Sequence, residues 1–406
     1  KSDEPLNIFN VETVIKKHEQ WLKLMPRVRP YYAVKCNPYK PLLRLLYAMG
    51  CGFDCASQHE IETVLSIGTD PDSIVYANPN KTDQSLVYSR KMDIKYMAVD
   101  GQEELLKINR LYPGARPLFR LKVDDTGSHY RLGEKFGATL TECRQMFRLC
   151  SQLAIRPAGV AFHVGVYCQS AESYFMAIEM ARQVFDMAAE MGFAGDIHVL
   201  DLGGGFPGTD RFYFDRLATE VSSFSTVAQA INQALDRHFP NSTGSSTGTD
   251  IRIIAEPGTY YAAAAFQLLT RIIAKRMVYT DQDINHNHSQ PPHAMYYLND
   301  GVFGSFNMSA MMDAKRPPPI PVLPNGKGAR QRQSYRSTLW GPSLTSLDCI
   351  VRDIQMPELD IGDHLLFEDM GAYTSTYSPY GFNGMPNAQH CIHLSGYVQD
   401  KYRKIF

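Results

Sequence analysis

The chain has 406 residues, 44% hydrophobic and 20% charged, and its 41 basic against 42 acidic side chains leave a formal charge of −1. That length exceeds what one hydrophobic core usually serves, so about two domains are expected, and the composition excludes a disordered chain. There is no basic stripe for nucleic acid and no apolar run of about 18 residues for a membrane span, so the expected ligand is a small molecule.

Through the first two-thirds, short apolar runs alternate with helical patterns. The runs are Tyr31–Lys35, Gly52–Ala56, Ser73–Ala77, Lys95–Val99, Pro117–Lys122, Gly159–His163, Ile197–Leu202 and Ile251–Glu256. Between them lie amphipathic stretches such as Glu60–Ile67, Glu103–Leu111, Ala171–Met191 and Phe214–Phe239. Near-continuous apolarity is what parallel strands covered on both faces require. Eight strands, each followed by a helix, predict a (β/α)8 barrel rather than an open doubly wound sheet. After about Leu269 the texture changes to alternating segments at Ala294–Leu298, Tyr335–Trp340, Cys349–Ile354, His364–Glu368 and Cys391–Val398, which predict an antiparallel β domain. The expected division is a barrel over 10–268 and a β domain over 269–406, joined by residues 1–9. Asn241–Asp250 reads as a low-complexity connector, and Asp281–His293 and Ala314–Arg332 as loops, with His286 and His288 solvated.

Eight cysteines are scattered without a zinc-type CxxC pair, so no metal site and free thiols are expected. With no signal-peptide pattern, the expected location is the cytoplasm.

Functional groups of a barrel gather where strands end and βα loops begin. Those positions hold Lys35, Asp54, Asn78, Asp100, Arg131, His163, Gly203–Gly205 and Glu256. Polar groups directly after apolar runs cost desolvation energy unless they are paired or used, so this many around one rim suggest a site. Desolvation at a barrel mouth can free the Lys35 amine for covalent chemistry with a carbonyl. The glycine run lets backbone N–H groups approach a phosphate, and Glu256 could keep a pyridine nitrogen protonated.

In order along the chain, YYAVKCN, GFDCAS, FHVG, LDLGGGFPG, AEPG, YLNDGVFGSFN, WGPS and FEDMGAYT resemble the eukaryotic ornithine decarboxylase-like family. This is a group of fold-type III, alanine racemase-like enzymes dependent on pyridoxal 5′-phosphate (PLP). The resemblance implies that Lys35 holds PLP covalently, His163 stacks on its ring and Glu256 pairs with its nitrogen. It also implies that Gly204, Gly205, Gly258 and Tyr373 lie at the phosphate end, with Asp54 and Arg131 as further cofactor-site residues. Asp300 would receive the distal amine of an amino-acid substrate, beside Leu344, Thr345 and Phe382. Members are homodimers with active sites shared at the interface, and some of the fold bind the protein antizyme.

The pattern breaks in places. After WGP the family reads Thr-Cys-Asp-Gly-Leu-Asp, whereas here Leu344 and Thr345 stand where the proton-delivering cysteine and the amine-binding aspartate are usual. Val166 follows HVG where serine is usual, Thr259 follows AEPG where arginine is usual, and one extra residue precedes FNG. Three readings follow from this resemblance: a decarboxylase of an ornithine-like or N-substituted diamino acid, as in specialised alkaloid metabolism such as the loline pathway; ornithine decarboxylase proper; or a non-catalytic antizyme-binding homologue.

Overall fold

The structure, a computed structural model, describes residues 3–209, 222–240, 251–279, 292–311, 318–323, 332–378 and 382–406. The expectations for Asn241–Asp250, for His286 and His288, and for most of both loops lie outside the described residues. The chain divides into two compact units, one of Ile15–Asp210 and Thr219–Tyr261 with Gln399–Phe406, the other mainly of Ala262–Val398 with the chain up to Val14.

In the first unit, eight strands close a parallel barrel: Val28–Ala33, Gly52–Cys55, Ile74–Tyr76, Tyr96–Val99, Arg116–Arg120, Gly159–Ala161, Val199–Asp201 and Arg252–Ala255. Closure is made by the last strand on the first, with Ile253 opposite Val28 and Ile254 opposite Arg29. Gly52–Cys55, Ile74–Tyr76, Gly159–Ala161 and Val199–Asp201 are buried at every position, as strands between a filled interior and a helical layer must be. Tyr31, Val75, Leu118, Val199 and Ile254 belong to one packed cluster.

The helices face the barrel by ordinary amphipathic spacing. Leu140–Leu153 buries Cys143, Met146, Phe147 and Cys150, and it starts at a capping box in which Thr139 and Glu142 satisfy each other's backbone N–H groups. Helix Val11–Leu24 carries Trp21, whose Nε1–H donates to Val28 O at 2.8 Å. The Trp21 ring packs 4.9 Å from Phe206 and 5.3 Å from Tyr260, which anchors the chain beyond the glycine run. Such aromatic contacts each contribute about 0.5–1.5 kcal/mol beyond area burial.

The second unit is a mixed sheet, mostly antiparallel as expected. Its spine is the 13-residue strand Phe266–Val278, which pairs antiparallel with Leu6–Asn10, His293–Leu298 and His364–Phe367. Two pairings are parallel: His293–Leu298 on Ser334–Trp340, and Leu6–Asn10 on Gln389–His393. Parallel return needs a crossover of about a dozen residues or more, which the chain between Leu298 and Ser334 provides. The spine and Leu6–Asn10 escaped the sequence reading because FQLLTRIIAKRMV doubles its apolar residues and blurs strict alternation. The run expected at Cys391–Val398 is strand only over Gln389–His393, and Ile320–Val322 is a strand inside an expected loop. Leu268, Ile272, Tyr296, Leu339, Leu365 and Phe367 form this unit's core. Among the described residues no helix is long and apolar enough to cross a membrane.

Candidate active site

The C-terminal ends of parallel strands share one rim, and Lys35, Asp54, His163, Gly203–Gly205 and Glu256 lie there. The first strand stops at Ala33 and the chain turns through a single 3-10 turn, Val34–Cys36, which carries Lys35. Lys35 Nζ is ion-paired with Asp54 Oδ2 on the neighbouring strand. Asp54 has no exposed surface, and its Oδ1 is buried without a partner. A carboxylate in that position would cost several kcal/mol without its cation. Ala33 N–H donates to Pro257 O at 3.3 Å and ties the lysine turn to the AEPG turn. A Cβ on Gly258 would lie 2.8 Å from Cys36 Cβ, so Gly258 serves this close passage of chain.

The side of the mouth adjoining the lysine turn is built from the last two strands. Gly203 N–H donates to Asp201 Oδ1 at 2.9 Å, and Glu256 N–H donates to Gly203 O at 2.6 Å. The Asp201 and Glu256 carboxyls are in direct side-chain contact. Burial pushes Asp201 up to about 7 and, reinforced by the charges of Asp201 and Asp54, holds Glu256 well above the usual carboxylate range. Arg120, ending strand Arg116–Arg120, is the arginine that faces these carboxyls; burial lowers its pKa, while Glu256, Asp100, Asp54 and Asp201 act the other way. Arg131, singled out from sequence, stands exposed beyond strand Ser128–Tyr130 instead.

His163 lies between these groups. Its Nδ1 accepts the Gly165 N–H at 3.0 Å, and burial with the positive charges of Arg120 and Lys35 holds the ring well below its ordinary pKa. The imidazole is therefore neutral with its proton on Nε2. A Cβ on Gly204 would meet His163 Nε2 at 2.8 Å, and one on Gly203 would meet Phe162 O at 2.0 Å. The glycine run is thus required first by the protein's own packing.

In the β unit, Asp300 is 6% exposed. Its Oδ1 accepts Gly301 N–H at 2.8 Å and Ser305 N–H at 3.0 Å, while Oδ2 is buried without a partner. A small pocket is lined by Asp300, Phe303, Ser343, Asp348, Phe382 and Met385, among others. Phe303 and Phe382 stack at 4.2 Å. Asp348, which the sequence reading passed over, holds this pocket together: Oδ1 accepts Val302 N–H at 2.7 Å and Oδ2 accepts Ser343 Oγ–H at 2.6 Å. Leu344 is 94% exposed, whereas Thr345 Oγ1 is occupied by Leu347 N–H at 3.2 Å. Tyr373 follows strand His364–Phe367 with φ 54°.

Arg120 and Asp201 could have been found by one signal, a charged residue inside the apolar runs PLFRL and HVLDL. Lys81 gave no such signal, yet it is fully buried, bonded to Asn78 O at 2.9 Å and Ala98 O at 2.8 Å and ion-paired with Glu104 at 3.1 Å. Among the described residues no group of three or more His, Cys, Asp or Glu could hold a metal ion.

The residues fit PLP. Among the described residues the Gly204 and Gly205 N–H groups donate to no acceptor, which suits an anion, and the carboxyl pair suits a protonated ring nitrogen. A barrel with a lysine on its C-terminal rim, a carboxyl pair at the ends of the two neighbouring strands and a glycine turn after the second of them defines a PLP-holding protein of the fold-type III class. The chain belongs to the pyridoxal-dependent decarboxylases: residues 11–263 match the family model described as pyridoxal-dependent decarboxylase, pyridoxal binding domain. Its cofactor is PLP. It is 43% identical to antizyme inhibitor 2 of Xenopus laevis over 93% of this chain and 78% of that protein. It is 40% identical to ornithine decarboxylase of Rattus norvegicus over 96% of this chain and 80% of that one. The crystal structure of the arginine decarboxylase of Paramecium bursaria Chlorella virus superposes with a TM-score of 0.82 at 30% identity, covering 97% and 96% of the two chains.

Proposed function

We propose that this chain removes the α-carboxylate of an ornithine-like diamino acid whose distal nitrogen is substituted. The observation that carries the chemistry is Lys35 Nζ paired with Asp54 on the rim that also holds His163 and the Asp201–Glu256 carboxyls. Bound PLP supplies an electron sink for the bond that breaks at Cα. Lys35 would hold it, Glu256 would pair with its nitrogen, neutral His163 would stack on its ring, and the Gly204 and Gly205 N–H groups would bind its phosphate, a role the resemblance gives to Tyr373 as well. Asp54 holds Lys35 in place.

The substrate reading rests on Asp300 and its surroundings. With Oδ1 occupied by two backbone donors, Asp300 offers one oxygen to a distal ammonium. Thr345 adds no charge, and Phe303, Phe382 and Met385 offer apolar surface, which suits a nitrogen carrying alkyl groups. A second copy of this chain would cover Leu344 and Leu347, which are 94% and 74% exposed. Leucine cannot deliver a proton, so the product is an amine only if another acid serves; otherwise it would be an aldehyde whose oxygen comes from water, the nitrogen and the electron pair being left on the cofactor in its amine form. A specialised pathway such as alkaloid synthesis suits such a substrate.

The 43% identity to an antizyme inhibitor favours a second reading, a binding protein without turnover. Incubation with ornithine, lysine and N-substituted diamino acids, with CO2 release and mass detection of amine and aldehyde, separates the readings. Turnover of a substituted acid that is lost in Lys35→Ala supports ours. Turnover of ornithine alone makes the chain an ordinary ornithine decarboxylase, and turnover of nothing overturns decarboxylation.

A further inference from the structure

We propose that Asp201 is a positioning residue that shares a proton with Glu256, so that the two carboxyls stand in the site as one acid and one carboxylate.

Asp201 ends the strand Val199–Asp201 and has no exposed surface. Its Oδ1 accepts the Gly203 N–H, but its buried Oδ2 has no donor, and the side chain in contact with it is another carboxyl, Glu256. Two carboxylates have only lone pairs to offer each other, so this contact is satisfied only if one oxygen carries hydrogen. An orphaned buried oxygen and a carboxyl facing it then become a single O–H···O hydrogen bond.

The surrounding charges agree. Lys35 and Arg120 act on the cluster as cations, and Asp54 as an anion. With one proton between Asp201 and Glu256, two positive charges meet two negative ones. With none, the interior holds an excess negative charge, which is costly in a low dielectric. Of the other titratable neighbours only Asp100 changes that count, and it adds a negative charge, which makes a second unprotonated carboxyl costlier still. His163 is neutral, the buried Tyr31 phenol is pushed further toward its neutral form, and Glu60 lies beyond Asp54 with its own pKa raised by burial. Asp100 acts on Arg120 from the adjoining strand end, where its Oδ2 accepts the Gly137 N–H at 3.0 Å. The upward displacement of both carboxyls from the ordinary range is the expected behaviour of such a pair.

The consequence for the site is orientation. Glu256, the carboxyl displaced further from the ordinary range, donates to the orphaned Asp201 Oδ2, and this bond fixes which Glu256 oxygen stays turned toward the barrel mouth. The value of that orientation rests on our placing of Glu256 against the ring nitrogen, whereas the existence of the proton does not.

Infrared spectroscopy of the full chain before cofactor is added reads the proton directly. At about pH 8, where exposed carboxyls are ionised, the wild type should show the carbonyl stretch of a buried carboxylic acid, because Glu256 is held well above the usual carboxylate range while Asp201 is raised only to about 7. Asp201→Asn keeps an oxygen for the Gly203 N–H and a donor for Glu256, so it should fold and lose this band. Glu256→Gln should lose it as well, while Asp300→Asn, which alters a buried carboxyl of the β unit, should keep it. Absence of the band from the wild type, or its survival in either Asp201→Asn or Glu256→Gln, overturns the proposal. Failure to turn over any amino acid would overturn the decarboxylase reading and leave this result untouched.

Discussion

Replacing Gly203 with alanine tests whether the glycine turn is demanded by close packing rather than by conformation alone. Gly203 (φ 62°) and Gly192 (φ 87°) both adopt left-handed conformations, but an added Cβ meets nothing within 4 Å at Gly192 and lies 2.0 Å from Phe162 O at Gly203. Each substitution therefore costs about 1 kcal/mol of backbone strain. Gly203→Ala must also displace a main-chain carbonyl whose residue is fixed by its own N–H donating to Asp201 O at 3.1 Å. Overpacking of that kind adds about 1–3 kcal/mol. With about 2–4 °C lost per kcal/mol in large domains, Gly203→Ala should melt roughly 2–12 °C below Gly192→Ala. Thermal unfolding followed by circular dichroism measures the difference, and absorbance titration should show weaker PLP binding in Gly203→Ala alone. Equal melting temperatures for the two variants would refute the packing argument.

Thr259→Arg restores the arginine usual after AEPG in the family and should tighten PLP by about 10–100-fold in an absorbance titration, the worth of one charge-assisted contact; unchanged affinity would move the phosphate elsewhere. Asp300→Asn removes the charge offered to a distal ammonium and should raise KM by about 10–100-fold with a smaller effect on kcat, read from steady-state kinetics on whichever acid is turned over. Lys81 has its pKa lowered by burial to about 8 from 10.5. The unfolded chain therefore binds the extra proton between those values, and the protein gains on the order of 3 kcal/mol of stability as pH rises from about 8 to 10.5. Urea unfolding of wild type and Lys81→Met across that range should show the rise only in the wild type, since Glu104 keeps Lys107 at 2.6 Å in the variant; parallel curves would count against it.

Which parts of this were legible in the sequence follows from the range of the interactions involved. The eight barrel runs and the amphipathic helices were readable because burial on both faces of a strand, or on one face of a helix, is written within a few neighbouring residues. Lys35, His163 and Glu256 were readable because they follow such runs directly. Arg131 was readable from its place in the loop after the fifth run and from the family resemblance, whereas an arginine inside PLFRL looks like an interruption until its barrel surroundings are known. Leu344 and Thr345 were identified by position, but their difference in exposure depends on a loop held by Asp348.

By itself the sequence determined the alternation that makes a barrel, the lysine at the end of its first apolar run, and membership of a PLP-binding family. Only the tertiary structure decided that Asp54 reaches Lys35 across neighbouring strands and that Asp201 meets Glu256 from the strand beside it. Strand periodicity says only that a side chain points in or out. Which inward side chains meet is set by register and closure, with Asp201 opposite Ile254 and Ile253 opposite Val28, and these pairings join residues far apart in the chain.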